Sequence, residues 1–390
     1  MEDPSGESLF IKGGPFRKFL VRRGWVRSGS AGLMTGAAAC AIIAWLPLLL
    51  LSAAHGLASG DSVQIPFLQD FASHIRFLFA VPLLIVAEIP VYRRLGLMTA
   101  HFVRSGLVAP QDLPSFYSSV KKISAKLINS VLPLALFLLL ALLGFFLNGM
   151  RMEPVHPSTW RMAQTGAMIR LTAAGWWYAS VSLPLYRFLL YLWLWRLAVW
   201  TGFLWRVSRM KLNLNPTHPD LAGGLGFLTL AQEPFGLIIF ASASVISAAL
   251  AQNMMFAGAS LSSFKFLITG FVFLSVLLFM APLFLFTGKL YNVKKKGLLE
   301  YGAFASIYTE DFAQKWIGEK TGESPLGSPD IQSLSDLANS FQIVRKMKLA
   351  PFDLEAFVPL LAGAAVPMLP LVLISFPLDE IVAKIIRLVF

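Results

Sequence analysis

Residues 264–290 read Phe-Lys-Phe-Leu-Ile-Thr-Gly-Phe-Val-Phe-Leu-Ser-Val-Leu-Leu-Phe-Met-Ala-Pro-Leu-Phe-Leu-Phe-Thr-Gly-Lys-Leu, with no charge between Lys265 and Lys289. About 20 apolar residues in a helix cross the ~30 Å hydrocarbon core of a bilayer. A helix that is apolar all round has no water-facing side, so it needs lipid or other helices on every flank.

Working outward, six further stretches have the same character: residues 31–54, 75–92, 127–148, 171–205, 235–252 and 356–375. The chain is 56% hydrophobic and 14% charged, against about 45–50% and about 25% in soluble domains. The reading is an all-α polytopic integral membrane protein of about seven transmembrane helices, with amphipathic cytoplasmic helices. It divides into a basic amphipathic arm (1–30), six spans (31–291), a cytoplasmic helical hairpin (292–355), and a last span with an amphipathic tail (356–390).

Charge orients those spans, because Lys and Arg concentrate in cytoplasmic loops. With an inside N-terminus, residues 12–27, 93–126, 206–211 and 289–348 hold 24 of the 33 lysines and arginines. The expected location is a bacterial inner membrane, N-terminus cytoplasmic. The same asymmetry keeps 171–205 as one span. Its 35 residues would make a helix of roughly 52 Å, so Pro184 is expected to break it, leaving a half-segment at 176–183 near the outer interface.

Three amphipathic pieces lie off the bundle. Residues 16–27 mix Phe16, Phe19, Leu20 and Trp25 with five arginines and lysines, a composition for anionic headgroups at an interface. Tyr301, Phe304, Tyr308, Phe312 and Trp316 form one helical stripe, and Ile331, Leu334, Leu337, Phe341 and Val344 another. Between them, Gly and Pro at 318–330 predict a turn. The tail 377–390 is too short to span. Lone Cys40 makes no intramolecular disulfide. No metal, cofactor or nucleic-acid partner is expected, and the assembly is expected to be a homo-oligomer.

Residues 213–227 read Asn-Leu-Asn-Pro-Thr-His-Pro-Asp-Leu-Ala-Gly-Gly-Leu-Gly-Phe. Thr217 and Asp220 fit a capping box. Gly223, Gly224 and Gly226 permit positive φ or close backbone approach. His218, beside a carboxylate, titrates near neutral pH. Two readings stand: a capped turn packed on the bundle, or a gate or ligand loop. His-Pro-Asp also occurs in J-domain co-chaperones, but there it joins helices of a soluble domain. The longer His-Pro-Asp-x-x-Gly-Gly string resembles loops of uncharacterised polytopic bacterial inner-membrane proteins. That resemblance covers about a dozen residues and implies no activity.

Arg187 and Arg196 lie in the fourth apolar stretch, where a charge usually faces a bundle interior or a wet cavity. The alternative is anchoring, with Arg196 reaching toward the interface beside Trp193, Trp195, Trp200 and Trp205. Glu88 is either a locally paired interfacial acid near Arg93 and Arg94 or a partner for one of these arginines. Gln252 and Asn253 either line an outer mouth or terminate their helix. No phosphate-binding loop, HExxH or CxxC motif occurs, and no catalytic residue is expected. The leading functional expectation is a channel or transporter for a small, anionic solute, lined by proline-broken helices. The second is a signalling or scaffold protein acting through its cytoplasmic hairpin.

Overall fold

The computed structural model describes residues 30–129, 135, 138, 139, 159–165, 168–318 and 327–375. In chain order its elements are α1 (Ser30–Ala54), α2 (Phe71–Arg104), α3 (Leu113–Asn129), β1 (Met162–Thr165), β2 (Met168–Leu171), α4 (Ala173–Val207), α5 (Leu228–Ala257), α6 (Leu261–Gly318), α7 (Pro329–Lys346) and α8 (Leu354–Ser375). Among the described residues six helices are long and apolar enough to cross a membrane. They are α1, α2, α4, α5, α6 and α8, matching six of the seven expected spans. Most of the third expected span (127–148) lies outside the described residues, as do the arm 16–27 and the tail 377–390.

Side-chain contacts fix the directions. Trp45 on α1 donates from Nε1 to His74 Nδ1 on α2 at 2.8 Å, and the loop between them is tied by Phe67 N–H to Leu57 O. The two helices are therefore antiparallel. Along α2 and α4, Phe77 meets Tyr178, Trp193 Nε1 donates to Leu84 O at 2.9 Å, and Phe102 meets Phe203. That ascending pairing makes α2 and α4 parallel. Phe79 packs on Phe240 of α5, and Phe235 stacks on Phe279 of α6 at 5.1 Å. Where α5 meets α8 the backbones touch: a Cβ on Gly363 would run into the carbonyl of Gly236. Both positions need glycine for that approach, as small residues do at helix contacts in lipid. The outward side of α6 is apolar, with Phe266 81% exposed, which suits lipid rather than water.

Prolines do not break these spans. In α2 residues Ile75–Ala80 form a π-turn, closed by Val81 N–H on Arg76 O, just before Pro82. In α4 residues Tyr178–Ser182 do the same, closed by Leu183 N–H on Tyr178 O, just before Pro184. A proline ring clashes with the carbonyl four residues earlier and leaves it without a donor. Inserting one extra residue into the turn relieves the clash while the helix continues. The expected half-segment at 176–183 is thus replaced by one continuous α4. Pro282 and Pro367 sit in tight 3-10 turns, Ala281–Phe286 and Val366–Met368, and Pro47 lies inside an uninterrupted α1.

The hairpin expected after the sixth span is present. α6 runs 58 residues, roughly 87 Å at 1.5 Å each, and α7 folds back along its end. Tyr301, Tyr308, Phe312 and Trp316 are half-buried, but Phe304 is exposed. Ser328 caps α7, and Asp330 Oδ2 accepts from Lys315 Nζ (2.8 Å) and Trp316 Nε1 (3.1 Å). The short antiparallel pair β1–β2, with Met162 opposite Leu171, was not expected from the sequence.

Candidate functional site

Three polar clusters interrupt the apolar bundle. The deepest joins α2 and α4. Glu88 and Arg196 are both buried, at 9% and 6% exposure, and their side chains form an ion pair. The Arg196 guanidinium also lies over Trp193 (4.6 Å) and Tyr92 (5.4 Å). Of the two readings of Arg196, the structure has the inward one: it does not reach to the interface. Glu88 is its partner. Arg93 and Arg94 do not take that carboxylate; Arg94 instead bridges to Glu233 at 3.1 Å.

The other residues proposed for a pathway stand apart from this pair. Arg187 is half-buried on α4 and pairs with no described carboxylate. Because α4 is continuous through Pro184, Arg187 does not begin a new helix. Gln252 and Asn253 lie in the last turns of α5, which continues to Ala257. Asn253 is exposed and donates back to Ala249 O at 2.9 Å. They are roughly 25 Å along α5 from Phe235, the residue that packs on Trp193 beside Arg196.

The loop 213–227 lies at the end of the bundle where α2 and α4 finish. Asn213 N–H bonds Leu107 O at 2.8 Å, and Lys348 N–H, just past α7, bonds Leu221 O at 2.7 Å. Pro216 seats on Gly297 of α6, where a Cβ would come within 2.8 Å of its ring. The loop thus joins the α2–α3 turn, α6 and the hairpin. Two similar strings flank it. Met210 O in Arg-Met-Lys-Leu (209–212) accepts from Lys289 Nζ at 2.5 Å, and Met347 O in Lys-Met-Lys-Leu (346–349) accepts from Lys294 Nζ at 2.7 Å.

Within the loop the capping box does not form. Thr217 donates from N–H (3.0 Å) and Oγ1 (2.8 Å) to Asn215 Oδ1. Asp220 instead gathers the N–H groups of Ala222 (2.8 Å), Gly224 (3.1 Å) and Gly226 (2.8 Å). Positive φ at Leu221, Gly223 and Gly224 turns these amides inward, a concave anion-binding backbone filled by the chain's own carboxylate. Burial pushes the Asp220 carboxyl up, but the three amides and His218 outweigh it and hold it below the usual carboxylate range. His218 Nδ1 lies 2.8 Å from Asp220 Oδ1. The Asp220 N–H also reaches that nitrogen, at 3.3 Å. Ala222, Gly223 and Leu225 are buried, while His218 is 45% exposed at its side chain.

The third cluster lies at the opposite end, and sequence reading missed it. Asp70 caps α2: it accepts from Ser73 N–H (3.0 Å) and Ser73 Oγ (2.8 Å). It also accepts from Trp160 Nε1 (2.9 Å) and pairs with Arg161. Burial pushes the Asp70 carboxyl up; the Arg161 guanidinium and the Ser73 bonds more than reverse this and hold it below the ordinary range. Thr172 caps α4 through Gly175 N–H at 2.9 Å and donates to Trp160 O at 2.8 Å. A Cβ on Gly175 would collide with Arg161 O. Nearby, Arg76 Nη1 donates to Tyr178 Oη at 2.5 Å, and Arg161 lies 4.4 Å above the Tyr178 ring. The available signal was Asp70-x-x-Ser73 ahead of an apolar run, a helix-start pattern.

No group of His, Cys, Asp and Glu among the described residues is arranged to hold a metal ion. No protein-family model, characterised protein or solved structure matches this chain. What it does is therefore read from its own chemistry: an all-α protein whose helices are built to cross a membrane, with an ion pair buried between two of them.

Proposed function

We propose that the protein is a membrane channel or transporter for a small anionic solute, working as a homo-oligomer in a bacterial inner membrane with its N-terminus inside. The observation that carries this reading is the Glu88–Arg196 pair, buried where α2 and α4 run side by side. Ionisable residues inside a membrane domain are costly and mark pathways and relays. The pair is a closed state: Glu88 occupies the guanidinium that a passing anion would use. The loop at His218 and Asp220 forms the gate on the inner side, because it ties the α2–α3 turn to α6 and to the segment just past α7.

Anion-selective flux into liposomes tests this. Wild type should conduct, Glu88→Gln should raise anion flux by freeing Arg196, and Arg196→Gln should abolish it. Equal flux from empty liposomes and from all three proteins would remove the reading. A scaffold role is the second reading, supported by exposed Leu299, Phe304, Ile307 and Ile317 on the far part of α6. It predicts that flux is absent and that a defined partner is lost on Ile307→Asp with Ile317→Asp.

A further inference from the structure

The outer cluster carries more positive charge than it neutralises. Arg161 has Asp70. Arg76 pairs with no carboxylate among the described residues; its partners are Tyr178 Oη and the rings of Phe77 (5.9 Å) and Tyr186 (5.8 Å). A guanidinium offers five N–H donors, and Arg76 Nε and Arg161 Nε are both buried without an acceptor among the described residues. Tyr178 Oη receives the Arg76 proton, so its own hydroxyl hydrogen also remains to be given. Arg76 and Tyr178 each open a π-turn, on the facing helices α2 and α4. Such turns recur at functional sites.

We propose that Arg76 and Tyr178 form the seat of an oxyanion, taken as a phosphate group by the planar fork of the guanidinium and the tyrosine hydroxyl, with Arg161 supplying the second positive charge. A phosphate accepts two parallel N–H bonds from arginine, which a lysine does not reproduce. The seat stands whether or not the protein conducts solute. Its phosphate comes either from an outer-leaflet lipid headgroup or from a free ion, and one experiment separates the two.

Purified full-length protein is stripped of lipid, placed in phosphatidylcholine nanodiscs and titrated with inorganic phosphate. In parallel, native mass spectrometry counts phosphatidylglycerol retained through a mild purification. Saturable phosphate binding that weakens at least tenfold in Arg76→Gln and Tyr178→Phe identifies a free-ion seat. Phosphatidylglycerol retained by wild type and lost in those variants identifies a headgroup seat. Lys265→Gln, an exposed cation at the same end of the bundle, should change neither. If Arg76→Gln fails to fold, Arg76→Lys keeps the charge, loses the fork and should still weaken binding at least fivefold. The proposal is overturned if wild type binds neither probe, or if Arg76→Lys and Tyr178→Phe bind both as wild type does.

Discussion

Single residues decide more here than their number suggests. Removing one member of a buried ion pair leaves the other charge stranded, at a cost of about 3–5 kcal/mol, whereas removing both is often near neutral. Glu88→Gln and Arg196→Gln should therefore each lower the thermal midpoint in detergent sharply, and Glu88→Gln with Arg196→Gln should recover most of the loss. Additive losses would mean that the pair contributes nothing as a pair. Asp220 gives a second test. Its carboxyl is held lower in the folded protein than the free value of about 3.9. The stability it contributes is present above that value and is lost as pH falls through the depressed folded value. Hydrogen exchange at Ala222, Gly224 and Gly226 should stay slow at pH 5 and quicken selectively only as pH falls below the free aspartate value of about 3.9. Asp220→Asn should quicken it at every pH, costing about 1–3 kcal/mol through an amide left facing an N–H. The Glu88–Arg196 pairing stood in the sequence only as one of two readings, and the Asp70–Arg161 pairing was not legible there at all. Glu88 lies 108 residues from Arg196 and Asp70 91 from Arg161, and spacing along a chain carries no signal over such separations. Asp220 was noticed for the wrong bonds: a box at 217–220 needs a helix there, and positive φ at Leu221 forbids one.

At the scale of the element, hydropathy and helical period read well. The spans 31–54, 171–205 and 356–375 match α1, α4 and α8 to within two residues at each end, whereas α2, α5 and α6 run on well past their expected ends; the α6–α7 hairpin follows from its two stripes. What period cannot convey is how a helix absorbs a proline. Pro82 and Pro184 yielded π-turns and Pro282 and Pro367 3-10 turns, and the choice depends on neighbours that hold each side of the turn. Glycine contrasts test the helix contacts directly. Gly363→Ala forces α8 from α5, since overpacking costs about 1–3 kcal/mol. Gly270→Ala on α6, with open space around it, should be neutral or stabilising by about 0.5–1 kcal/mol. Thermal midpoints that move together for both would mean that the α5–α8 contact is not close-packed.

Across the described residues, the antiparallel α1–α2 and parallel α2–α4 pairings put the ends of those helices on definite sides of the bundle. In a Cys40→Ala background, cysteines at Ser105, Asn215 and Gln332 should react with an impermeant reagent from one side of the membrane. Cysteines at Ser62 and Ser260 should react only from the other, and any crossing of these groups would refute the arrangement. The sequence conveyed the six described spans because hydropathy is summed over about 20 residues, and the sidedness read from charge asymmetry is what this labelling tests. It did not convey the cap of Trp160, Thr172 and the β1–β2 pair at the end opposite the His218 loop, which is held by backbone bonds that no composition signals. The length of α6 has a mechanical side. From Gly297, where Pro216 bears on it, to Ile317 is roughly 30 Å of helix. Lys289, holding Met210 O, lies two turns away on the bundle side. The loop is in this sense a fulcrum and the far end of α6 a lever: a tilt of about 5° at Gly297 would swing Ile317 by roughly 3 Å over that length, amplifying at the hairpin a displacement that the packed bundle itself would barely register.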